Sequence, residues 1–231
     1  MKLALPVLFL ALFTVSARGQ TEKNPEPPAP TPRQVESATP RTSVTETADR
    51  VSFPADRPRE KMKDALEEIS EQELDDAAEE IHEVVKSLQA AADTAEGDSV
   101  KADLLRSVRE LEAKEKSSNL SANSSAELGP IFSRALAALS IHHVILAAFH
   151  WKEDDKILTG FDLHAATLDA LDAARYGKVS LTPKEDSLLS RASEAATRLI
   201  EQKKVEREAV QALLGEMHAF TATLENRVPR N

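Results

Sequence analysis

From Arg59 to Asn226 apolar side chains return every third and fourth residue in six separate runs, and no run alternates apolar with polar side chains between turn signals as a strand would. A chain patterned this way buries its stripes by packing helix on helix. With short links between successive helices, antiparallel neighbours are the simplest solution. The fold class read from the sequence is therefore all-α, an antiparallel helical bundle of five to six helices over residues 59–228.

The six runs have recognisable ends. The first extends from about Arg59 to Ala92, with Met62, Leu66, Ile69, Ala77, Ile81, Val84, Val85 and Leu88 on one face; Ser70 and Glu73 resemble a capping box, so this run either continues or breaks there. Asp98 or Ser99 caps a second helix bearing Leu104, Leu105, Val108 and Leu111. The third is expected from Pro130, a first-turn residue whose missing N–H is not needed there, to Lys152. It is apolar nearly all round, from Ile131 and Phe132 to Leu146 and Phe149. Its length would cross a bilayer, but Arg134, His142, His143 and His150 make insertion costly, which favours the buried centre of a soluble bundle. A fourth runs from Lys156 or Gly160 to Tyr176, with Gly177 placed for a left-handed C-terminal cap. Thr182-Pro183-Lys184-Glu185 is the clearest start signal, opening a fifth helix. The last carries Val210, Leu213, Leu214, Met217, Phe220 and Leu224. Lys203, Glu206 and Arg207 interrupt the stripe before it, so residues 183–226 are one long helix or two separated by a turn.

The N-terminal quarter reads differently. Met1-Lys2, the apolar stretch Leu3 to Phe13, and small residues at Val15-Ser16-Ala17 or Ala17-Arg18-Gly19 have the order of a secretory signal peptide, residues 1–19. The apolar stretch is shorter than the roughly 20 residues that cross a bilayer, so no membrane span is expected after cleavage. Eight of the twelve prolines fall between Pro25 and Pro58, among Thr, Ser, Glu and Ala, which marks residues 20–58 as an extended disordered tether. Cleavage after Gly19 removes Lys2 and Arg18 and takes the net charge from −10 to −12. The expected location is periplasmic or secreted. The absence of cysteine excludes a disulfide framework and thiolate metal sites.

The acidity argues against nucleic acid as a partner, because phosphate binding rests on clustered Lys and Arg. No nucleophile elbow, phosphate loop, His-Glu-x-x-His or dinucleotide fingerprint is present, so the chain reads as non-enzymatic. One Glu-x-x-His, Glu79 to His82, lacks the second copy that a di-iron bundle needs. The remaining histidines are of more interest. His143 and His150 share a face two turns apart, roughly 10 Å along the axis, and are too distant to chelate one ion together. In a hairpin about Asp154-Asp155, His164 comes level with residue 146. His143, His150, Asp154 and His164 are thus the candidate ligands for a transition metal or a haem iron, weighed against packed histidines with one hydrogen-bond partner each and no cofactor. If His142, His143 or His164 is buried and neutral, acid should destabilise the fold.

The stretch Ala135-Leu136-Ala137-Ala138-Leu139-Ser140-Ile141-His142-His143-Val144-Ile145-Leu146-Ala147-Ala148-Phe149-His150, then a charged turn and Phe161 to Leu171, resembles the helical hairpin of the YfdX-type family of periplasmic helical proteins. The likeness covers about 40 residues, with a longer turn and with Trp151 where a glycine would be expected. It implies an exported, non-enzymatic helical protein tied to envelope stress or acid response. Such a protein would act through a protein partner or self-association; the alternative is a histidine-dependent haem or metal binder.

Overall fold

The computed structural model describes residues 57–228; the expected signal peptide, and the expected tether except for Arg57 and Pro58, lie outside the described residues. Seven α-helices follow one another, with no strand among the described residues: α1 Arg57–Glu71, α2 Leu74–Thr94, α3 Asp98–Glu112, α4 Ser124–Lys152, α5 Lys156–Tyr176, α6 Pro183–Ile200 and α7 Arg207–Arg227. The first apolar run divides at Gln72 into α1 and α2, which gives one helix more than the upper expectation. Ser70 does not cap the break: its hydroxyl donates to the Glu67 carbonyl at 2.7 Å. The start of α1 at Arg57 puts Pro58 in the first turn, where no N–H is needed.

The helices form an antiparallel bundle around α4. Its main neighbour is α5; α3 and α7 lie against it as well, α6 packs on α5, and α1 packs chiefly on α2. This central position accounts for the all-round apolar character of α4. It is long and apolar enough to cross a membrane, yet 78% of its most apolar window is buried inside the bundle. Phe132, Leu136 and Ala147 are fully buried on it, and each large apolar side chain so placed contributes roughly 1.5–3 kcal/mol.

Two local expectations are corrected. The α4 helix begins at Ser124, not at Pro130, so the proline lies inside the helix. Gly129 precedes it without the Cβ that makes helical backbone before proline costly. Fully buried Leu128 and an ion pair between Lys114 and Glu127 hold the extra turns against the rest of the bundle. Gly177, in turn, has φ −78°, and the left-handed residue is Lys178. Gly177 is needed for space, because a Cβ there would stand 2.5 Å from Ser133 Oγ.

Four helix ends share one closure. Gln72, Asp154, Lys178 and Gln202 all have φ between 53° and 66°. After each, two backbone N–H groups return to the preceding turn, as in Asp154 to Trp151 and Asp155 to His150, or Gln202 to Leu199 and Lys203 to Arg198. These are Schellman motifs built without glycine. The Thr182 capping box forms as expected, with Thr182 Oγ1 accepting from Glu185 N and Glu185 Oε2 accepting from Thr182 N. The stripe interruption at Lys203 to Glu206 is a turn, so residues 183–226 belong to two helices.

Candidate functional site

The α4–α5 hairpin carries two ladders of polar contacts, each with a period of seven residues on both arms. In the first, Ser133 Oγ donates to the Ala173 carbonyl at 2.5 Å and Ser140 Oγ to the Ala166 carbonyl at 2.7 Å. In the second, His143 Nδ1 meets Asp169 Oδ2 at 2.9 Å and His150 Nδ1 meets Asp162 Oδ2 at 2.7 Å. Contacts recurring every seven residues belong to an antiparallel coiled coil, whose seam faces its partner every two turns. Small residues at Ala166, Ala170 and Ala173 let the two backbones come close enough for serine to reach a carbonyl across the seam.

The four candidate ligands fall in separate places. His143 and Asp169 are buried together; His150 and Asp162 form a second, partly exposed pair two turns away. Asp154 sits on the exposed turn, 3.5 Å from Arg207 Nη1. His164 is buried on α5. Contacts across the hairpin bring it opposite the stretch around residue 146, as expected, but no three His, Asp or Glu side chains gather around one point among the described residues. His82 on α2 bonds Glu115, just beyond the end of α3, at 2.5 Å.

Asp162 and Asp169 are the partners that spacing alone did not single out. The available signal was their own separation of seven, which mirrors His143 and His150 in a segment otherwise rich in Ala and Leu. Burial raises the Asp162 carboxyl above its ordinary range, while its bond to His150 pulls it back down. His142 takes no part in either ladder: it is 3% exposed, its ring centroid lies 5.6 Å from that of His143, and its Nδ1 has no hydrogen-bond partner among the described residues. Burial, with help from His143, lowers its pKa to about 4.

The outer surface has its own irregularity around the turn of the same hairpin. Phe149, Ile157 and Leu158, at 45%, 36% and 42% exposure, are the large apolar side chains left open among the described residues. A cleft of about 550 Å³, with Phe149 in its lining, runs between the C-terminal half of α4 and the N-terminal half of α7. Trp151 lines it, nearly buried, with the Arg207 guanidinium over its ring at 5.5 Å. No family model, curated protein or solved structure matches the chain.

Proposed function

We propose that this is an exported, non-enzymatic helical-bundle protein that acts by protein binding or self-association through the turn end of its α4–α5 hairpin. The observation that carries this reading is the placement of Phe149, Ile157 and Leu158 in solvent around one turn, in a bundle that buries or half-buries its other large apolar side chains among the described residues. Apolar groups held open at one place cost solubility and become favourable when a partner covers them. The signal-peptide pattern and the resemblance to exported helical proteins support the location. The acid-sensitive burial of His142 supports a role in acid or envelope stress. The haem or metal reading has less support, because the histidines and aspartates of the hairpin bond one another in pairs.

The test is sedimentation of the full chain together with chemical crosslinking in the envelope of its native host, for wild type and for Ile157→Ser with Leu158→Ser. The expected result is an assembly, with itself or with another protein, that the double variant loses. Identical sedimentation and identical crosslinks for the two chains would overturn the reading.

A further inference from the structure

We infer that the cleft between α4 and α7 binds an amphipathic carboxylate, its apolar body against Val144, Ala148 and Leu214 and its anionic group at Arg207 and Lys152. The inference differs from the protein-docking reading in concerning the cleft: Phe149 lines both surfaces, but Ile157 and Leu158 do not line the cleft. The cleft holds about 550 Å³, within the range of sites that enclose a small organic ligand.

Its mouth is open for an identifiable reason. Gly215 lies inside α7 and lines the cleft. A Cβ built there would meet nothing within 4 Å. Glycine weakens a helix interior, and at this position no close approach of a neighbour and no left-handed backbone calls for it. What its missing side chain leaves is room at the exposed mouth, beside the apolar wall. By contrast, Gly160 and Gly177 are filled in by neighbouring atoms at 2.8 Å and 2.5 Å from the same constructed position.

The charges at the rim select the ligand's sign. Arg207 is held over the Trp151 ring and shares only a 3.5 Å, largely exposed pairing with Asp154. Lys152, one residue beyond the indole, has no ion pair among the described residues. Glu96 is the one carboxylate lining the cleft, with His218 as a further titratable group. A guanidinium over an indole can still offer its N–H fork to a carboxylate in the planar geometry such pairs favour.

Trp151 is the only tryptophan in the chain, so its fluorescence reports on this cleft. The full chain is titrated with decanoate, with 4-phenylbutyrate and with 1-decanol, each below its aggregation concentration, and binding is checked by calorimetry. A saturable change is expected with at least one of the two acids, and whichever binds more tightly assigns the source as lipid-like or aromatic. The alcohol should bind about tenfold more weakly than decanoate, as expected for loss of a charge-assisted contact. Gly215→Leu, verified as folded by circular dichroism, should weaken acid binding at least about tenfold by obstructing the mouth. Gly215→Ala should bind much as wild type does, and Arg207→Gln with Lys152→Gln should remove the preference for acid over alcohol. Ile157→Ser with Leu158→Ser should leave acid binding intact, which separates this inference from the docking reading. No saturable binding of either acid, equal binding of acid and alcohol, or unchanged binding in Gly215→Leu would overturn it.

Discussion

His143 and Asp169 hold each other across the central hairpin, Nδ1 to Oδ2 at 2.9 Å, with both side chains almost wholly removed from water. A buried pair of this kind adds little net stability over a well-packed apolar pair, but either partner left alone is costly. His143→Leu or Asp169→Leu alone should therefore destabilise the fold by about 3–5 kcal/mol. The double substitution should recover most of that loss. Urea denaturation of the four chains provides the cycle, and additive single effects would contradict the pairing.

His142 makes the fold sensitive to acid. Its imidazole protonates near 6.5 when exposed and at about 4 in the bundle. Above the higher value both states are neutral and stability is complete. Between the two values the unfolded chain takes up a proton that the folded chain refuses, so stability falls as pH drops, by about 3 kcal/mol once pH is below both. His142→Gln should flatten the denaturation midpoint between pH 6.5 and pH 4.5 relative to wild type. An identical slope in the two proteins would remove His142 as the cause.

Substituting alanine for three glycines should give opposite signs. Gly160 lies against the Ala196 carbonyl and Ile200, and Gly177 against Ser133 and the Ala173 carbonyl, so Gly160→Ala and Gly177→Ala should each cost about 1–3 kcal/mol through overpacking. Gly215 faces open space, and Gly215→Ala should stabilise α7 by about 1 kcal/mol. Thermal unfolding of the three variants decides the matter.

The glycine-free helix closures can be improved. Lys178 and Gln202 adopt left-handed backbone with φ 53° and 54°, a conformation that strains any side chain bearing a Cβ. Lys178→Gly and Gln202→Gly should each raise stability by about 0.5–1 kcal/mol, the relief of strain outweighing the added freedom of the unfolded chain. A fall in the unfolding midpoint would show that the side chains matter more than the backbone here.

Periodicity made the helices legible, because burial on one face repeats where the helix does; Thr182 and Glu185 likewise announce their cap within four residues. Pro130 misled because its local preference for a first turn yields to the packing of Leu128 and the Lys114–Glu127 ion pair, which only tertiary structure supplies. Gly177 misled for a related reason: a glycine after a helix signals left-handed backbone, and here it marks the approach of Ser133 from another helix. At the candidate site, the level of His164 followed from hairpin geometry alone. The pairing of His143 and His150 with aspartates instead of a common ion depends on which faces of α4 and α5 meet, and that is set by the seam. The cleft was hidden in the sequence because Gly215 and Lys152 acquire a role only when α7 lies beside α4.

The two polar ladders also limit how the hairpin can change in length. Each ladder advances by seven residues on α4 while it retreats by seven on α5, and a three-residue turn at one end ties the two arms together. An insertion of one or two residues in a single arm would rotate the serines and histidines off the seam, and an insertion of a whole turn would shift them about 5.4 Å along it, out of step with their partners. An arm that grows must grow by a heptad, and its partner must grow with it. The length of this hairpin is thus quantised, with a pair of heptads as its smallest increment.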